Sequence, residues 1–231
     1  AAFEAVELGY LTGAQFAVLS TTQLGVLSTT QVKGFSTTAL AAITTVQITG
    51  LATTQLSALT TNQVKALNPA SLSALSTVQV TGFTSAQVGV LTTTQLNSLG
   101  TTNFGTLTVA QIDGLKTSQL AALATTIFGA LSTTQLGSLA TTQVKAISTT
   151  NMAVITTIQL SGLASTQIGA LSSSQLNALN TTNVAAISTT QMAGLTAVQV
   201  KGLSVTNFGA LTTTQVGNLT TTQIKALTSS Q

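Results

Sequence analysis

Leu19-Ser20-Thr21-Thr22-Gln23-Leu24-Gly25-Val26 decides how the chain is read, because the residues on either side repeat the same eight-residue pattern. Counted from Phe3, the 231 residues divide into 28 complete octads and a partial one, 227–231, with no insertion or deletion between them. Such fixed spacing gives every octad an equivalent place in a stacked or wound array. We number the positions one to eight, so that Leu19 is position one and Val26 position eight. Position one is always Leu, Ile or Phe, and position six is always apolar, from Leu8 through Phe104 and Met152 to Ile224. These two positions form the expected core. Position five is Gln in most octads, positions two to four are mostly Ser and Thr, and position eight is mostly Gly, Ala or Ser. Position seven, which holds Lys33, Asp113 and Asn177, is expected to face water.

Neither regular structure accommodates this pattern without interruption. The odd separation of positions one and six puts them on opposite faces of a continuous strand. Eight residues carry a continuous α-helix about 80° beyond two turns, so the apolar stripe would wander around it. The chain must therefore turn once per octad. Read as a short helix, the octad has the grammar of a helix N-terminus: Ser20 as N-cap, Gln23 closing a capping box, and Leu19 and Leu24 as a hydrophobic staple. The single proline, Pro69, follows the cap residue Asn68 at the first helical position, where its missing N–H is harmless. The predicted fold is thus all-α, a solenoid of short capped helices, one per octad. The alternative is a β-solenoid with three octads in a triangular turn, which suits the abundant Thr, Val and Ile.

The array is expected to be a single domain, 3–231, with residues 1–10 as a degenerate first repeat or junction. Of the 18 glycines, 16 fall at positions seven or eight, which predicts that successive units approach closely there. The register breaks off at Gln231 in mid-octad, so a longer protein is expected. One octad cannot offset its own conformational entropy with two buried side chains, and stability must come from neighbours.

Composition excludes most chemistry. Charged residues are 4% of the chain and the net charge is +3, too sparse for a nucleic-acid face. No apolar run approaches the roughly 18 residues of a membrane helix. Without Cys or His there are no disulfides, thiol or imidazole chemistry, or common zinc sites. Glu4, Glu7 and Asp113 are the only acids and cannot supply paired carboxylates or a calcium site. Glu4 and Glu7 read as marks of an end unit. The expectation is no enzyme, no cofactor, and no catalytic, cofactor-binding or metal residue. Lys33, Lys65, Lys145, Lys201 and Lys225 all stand at position seven, either as a sparse basic stripe or as solubilising surface charge. All seven Phe residues, Phe3, Phe16, Phe35, Phe83, Phe104, Phe128 and Phe208, occupy core positions.

Position five departs from Gln at Glu7, Ala39, Ser71, Asn103, Ile127, Asn151, Asn183 and Asn207, always three or four octads apart. One reading is a seam, a direction along which arrays contact each other; the other is drift in a redundant repeat. Apolar residues at position four, Val46, Val78, Ile158 and Val198, loosely share the rhythm.

The run Leu-Thr-Thr-Thr-Gln-Ile-Lys-Ala at 219–226, repeated with small changes throughout, resembles octad-repeat segments of very large bacterial secreted and cell-surface proteins of the adhesin type. The resemblance implies an extracellular or cell-surface, non-enzymatic spacer or fibre. The calcium-binding nonapeptides common in such proteins do not occur here. Elimination leads to the same class: a structural repeat protein that assembles with itself. The alternatives are an adhesive surface for glycan or another solid, and an ice-binding solenoid, which requires flat β-faces.

Overall fold

In a computed structural model, which describes residues 4–231, the described residues form 28 short α-helices and no strand. Numbered in chain order, they run from α1 (Ala5–Gly9) to α28 (Thr221–Lys225), one per octad. The all-α reading holds and the β-solenoid alternative finds no support. The β preference of Thr, Val and Ile yields to capping and to burial of the apolar positions, as propensity commonly does to tertiary context.

Helix α3 (Thr21–Gly25) shows how eight residues make a unit. Ser20 is extended (φ −76°, ψ 161°), and its hydroxyl accepts from the Gln23 N–H. Leu24 N–H donates to the Ser20 carbonyl at 3.0 Å, and Leu27 N–H donates to the Leu24 carbonyl at 3.3 Å. The second bond spans three residues, so the helix closes in a tighter turn. Positions one and two are then extended, as at Leu59 (φ −58°, ψ 140°) and Thr60 (φ −68°, ψ 157°), and a new helix begins. Pro69 opens α9 (Pro69–Ser73) behind Asn68, whose side chain accepts from Ser71 N–H. One corner differs: between α12 (Thr93–Ser98) and α13 (Gly100–Gly105), Leu99 stays helical and Gly100 takes φ 73°, which an L-residue adopts only under strain.

The described chain divides into two compact units, Ala1–Leu115 and Lys116–Gln231. Within each, a helix packs against the third helix after it: α1 against α4 (Thr29–Lys33) in the first, α19 (Thr149–Val154) against α22 (Ser173–Ala178) in the second. One turn therefore takes three octads, or 24 residues, and corners stack behind corners.

Positions one and six fill the interior. Phe16, Phe104, Phe128 and Leu136 have no exposure, and Phe35 and Phe83 are buried; Phe3 lies outside the described residues. Outer coils reveal which way each position packs. In the first coil of unit 1, Leu8, Phe16 and Leu24 at position six are buried while Leu11, Leu19 and Leu27 at position one are half-buried. In the last coil of unit 2 the balance shifts the other way: Leu203 and Leu219 are buried and Leu211 half-buried, while Phe208 is half-buried and Val216 and Ile224 are 40% and 51% exposed. Position one thus packs on the coil before and position six on the coil after. Phe16 and Phe35 meet in this way, ring centroids 4.9 Å apart and nearly perpendicular.

The expected close approach at position eight is present. A Cβ on Gly50 would lie 2.7 Å from the Thr21 Cα, and one on Gly162 would lie 2.8 Å from the Thr133 Cα. Backbone meets backbone there, one coil apart.

Candidate functional site

The recurring polar group of the array is the position-five side chain, and in successive coils it forms a buried ladder. Its carboxamide oxygen does what the capping-box reading requires. Gln159 Oε1 accepts from Thr156 N–H at 3.0 Å, and Gln159 N–H donates to Thr156 Oγ1 at 3.1 Å. At Ala52, Ala140 and Ala164, which lack a side-chain acceptor, the glutamine half of the box persists alone.

The carboxamide nitrogen does something the octad pattern does not reveal. Gln63 Nε2 donates to the carbonyls of Val32, Lys33 and Phe35 at 3.0, 3.1 and 2.8 Å. Gln167 makes the same set to Leu136, Gly137 and Leu139, at 3.0, 3.2 and 2.7 Å. These acceptors are the final carbonyls of a helix and the corner residue after it, one coil back. A helix that ends in the interior leaves such carbonyls without intrahelical partners. One glutamine therefore caps the start of its own helix with oxygen and the end of an earlier helix with nitrogen. Its own polar groups are satisfied in the same act, which makes burial of Gln55 at 2% exposure tolerable.

The departures from Gln sharpen this account. Asn is one methylene shorter and cannot reach both ends. Asn103 Nδ2 donates to the Leu75 carbonyl at 2.7 Å and Asn151 Nδ2 to that of Leu123 at 3.1 Å, so the link to the coil behind is retained. The box is lost, and Asn151 Oδ1 is the one buried side-chain polar atom without a hydrogen-bond partner among the described residues. Elsewhere a neighbour compensates. Where Ser71 replaces Gln, Asn68 both caps Ser71 N–H and donates to the Ile43 carbonyl at 2.8 Å, the acceptor a glutamine at 71 would use. Where Asn207 cannot reach Ser204 N–H, Asn177 Oδ1 accepts from it at 2.8 Å.

These positions do not line up as the seam that one of the two readings requires. Ala39, Ser71, Asn103, Ile127, Asn151, Asn183 and Asn207 are all buried, as the glutamines from Gln47 to Gln223 are, whereas Gln15 and Gln23 in the first coil are exposed. In unit 1 the departures recur every 32 residues against a 24-residue turn, so each falls on the next side of the coil. In unit 2 Ile127 and Asn151 share one side, and Asn183 and Asn207 share another. The lysines at position seven are exposed; Lys33 and Lys65, 32 residues apart, lie on different sides of the coil, while Lys201 and Lys225, 24 residues apart, share one side in stacked α25 (Ala197–Lys201) and α28. Glu7 takes the glutamine role in α1, accepting from Glu4 N–H at 2.8 Å. Val46, Val78, Ile158 and Val198 are 67–75% exposed, and Val78 borders a shallow groove with Thr53, Thr54, Ser57, Thr81 and Gly82. Among the described residues no three His, Cys, Asp or Glu side chains cluster, and no helix is long and apolar enough to cross a membrane.

Residues 61–93 match the model of the ALTTAQ repeat family, whose name follows the octad order from position eight to position five, as in Ala74-Leu75-Ser76-Thr77-Val78-Gln79. No curated protein matches the chain. The chain is a repeat protein built from an eight-residue helical unit.

Proposed function

We propose that this chain is a structural element, an extracellular or cell-surface spacer whose arrays associate into fibres. The ladder carries this reading. The buried carboxamides join coil to coil, and the surface carries Ser and Thr, a few lysines and scattered exposed valines, chemistry suited to persistence rather than reaction. Low charge leaves little repulsion between copies, which favours association. The ice-binding alternative required flat β-faces and has lost its structural premise.

Light scattering and electron microscopy of the purified chain over a wide concentration range test the association. Growth of particle mass with concentration, or continuous fibres, is the expected result; a monomer at every concentration removes self-association and leaves a spacer within one polypeptide. Antibody labelling of intact source cells tests the location, and staining only after permeabilisation would overturn it.

A further inference from the structure

Residues 98–103 and 138–143 differ at two of their six positions: Ser98-Leu99-Gly100-Thr101-Thr102-Asn103 against Ser138-Leu139-Ala140-Thr141-Thr142-Gln143. Each stretch follows a helix that runs to position eight, α12 in the first and α17 (Thr133–Ser138) in the second. In each the serine hydroxyl donates to the glutamine carbonyl three residues before it, at 2.7 and 2.9 Å. The two corners part at a single peptide. Leu99 and Leu139 have φ −58° and −57°, but ψ is −25° at Leu99 and 135° at Leu139, and the next φ is 73° at Gly100 and −62° at Ala140. Two adjacent torsions that change by more than a right angle in opposite senses turn over the peptide plane between them. Ala140 N–H donates to Gln143 Oε1 at 2.8 Å, which holds the ordinary setting. At Gly100 there is no hydroxyl to cap Asn103 N–H, and Asn103 forms no capping box. Helix α13 instead starts at Gly100 with Leu99 as N-cap, one residue earlier in its octad than the other described helices. The Leu99 carbonyl is thereby turned to the start of its own helix, where the first helical bond is received. Loss of the glutamine does not turn the peptide by itself, because Ser148 and Asn180, whose octads carry Asn151 and Asn183, stay at φ −64° and −72°. Glycine is the added condition. A Cβ on Gly100 would meet nothing within 4 Å, so the backbone conformation, not space, requires it.

We propose that the Leu99–Gly100 peptide is a switch with two settings, chosen by the residues at 100 and 103. In the observed setting its carbonyl heads α13. In the ordinary setting it is presented as the position-one carbonyls of Leu67 and Leu75 are, which accept a carboxamide N–H from a residue 28 further on. Glycine adopts both settings at little cost, whereas an L-residue disfavours the observed one. Positions one and six are buried at both kinds of corner, Leu99 and Phe104 in one, Leu139 and Val144 in the other, so turning the peptide does not require opening the core. The switch thus offers or withdraws one acceptor of the ladder at a fixed place, in exchange for the start of a helix.

Crystal structures and urea unfolding of the whole chain test it. The double variant Gly100→Ala, Asn103→Gln, which reproduces the sequence of residues 138–143, is expected to place residue 100 at negative φ with its N–H on the introduced carboxamide oxygen. The reverse pair, Ala140→Gly with Gln143→Asn, is expected to bring residue 140 to positive φ. In unfolding, Gly100→Ala alone must keep a left-handed corner or give up the start of α13, and is expected to raise the unfolding equilibrium constant on the order of ten-fold. In a chain that already carries Asn103→Gln, the same change is expected to alter it by less than about two-fold, because the ordinary corner then has its partner. Positive φ at residue 100 in the first double variant, or negative φ at residue 140 in the reverse pair, would overturn the proposal. So would an equal effect of Gly100→Ala in both backgrounds. Each double variant decides the matter by itself if the other fails to fold.

Discussion

Residues 147–154 and 155–162 are consecutive in the chain, have the same length of eight and bury the same two positions, yet they are held differently. Gln159 completes a capping box with Thr156 and donates to the Gly129 and Leu131 carbonyls at 3.1 and 2.8 Å. Asn151 makes one bond across the coil and leaves an oxygen buried without a partner. The octads end differently as well: Gly162 sits against the backbone of Thr133, whereas Val154 is 45% exposed. The core sets that an octad folds, and one methylene at position five together with one side chain at position eight sets how firmly it holds its neighbour.

The largest effect is expected from position eight. Gly162→Val forces a branched side chain into backbone already within 3 Å of a Cβ, and a loss of about 3 kcal/mol or more is expected in urea unfolding. The reciprocal change, Val154→Ala, is expected to alter the midpoint by well under about 1 kcal/mol, because that side chain is half in water. If the two substitutions proved equal, the close approach at Gly162 would not be a constraint.

Next comes Gln159→Leu, which leaves Thr156 N–H and the buried Leu131 carbonyl without their glutamine partners. A cost of about 2–3 kcal/mol is expected, against about 1 kcal/mol for Gln159→Asn, which retains a donor. Thermal unfolding of both variants separates the contributions, and equal losses would mean that the nitrogen does little.

How much of this could be read from the octad is itself a physical question. The helix starts, the boxes, Pro69 behind Asn68, the core at positions one and six and the crowding at position eight are local or follow from the pattern within eight residues. The number of octads per turn is not local. Any whole number of octads preserves the register, so no eight-residue pattern distinguishes a turn of two, three or four. The bond from Gln63 to Phe35 spans 28 residues and becomes visible only when the turn is known to be 24. The sequence-based view of Gln therefore found the oxygen and missed the nitrogen. It also left open whether the departures from Gln mark a seam or drift; the 32-residue spacing in unit 1 moves each one to the next side of the coil and all but Glu7 are buried, which speaks against a seam. The compensation of Ser71 by Asn68 did leave a trace: Asn at position two coincides with a missing Gln in the same octad.

That coincidence gives a mid-sized prediction. Asn68→Ala removes both a cap and the donor to the Ile43 carbonyl and is expected to cost about 1–2 kcal/mol. In a chain that already carries Ser71→Gln, the same change is expected to cost about half as much, because the glutamine supplies the second bond. A double-mutant cycle by urea unfolding measures the coupling, and strict additivity would show that Asn68 does not stand in for position five.

The smallest expected effect tests whether the two halves of a box act independently. Thr156→Ala deletes the hydroxyl that accepts from Gln159 N–H, but the glutamine oxygen still holds Thr156 N–H, the state already found at Ala164. Ser148→Ala deletes the only local side-chain cap in its octad, since Asn151 returns nothing. Independent halves predict that the first change costs about 0.5 kcal/mol and the second about 1 kcal/mol. The two octads share a unit, a helical class and a buried core, so the difference isolates the partner at position five. Midpoints in urea at unchanged slope provide the measurement. A larger loss at Thr156 than at Ser148 would mean that the halves are cooperative. The cause would then be the Thr156 hydroxyl, which also contacts Gln159 Oε1 at 3.2 Å and would orient the carboxamide toward both of its helices.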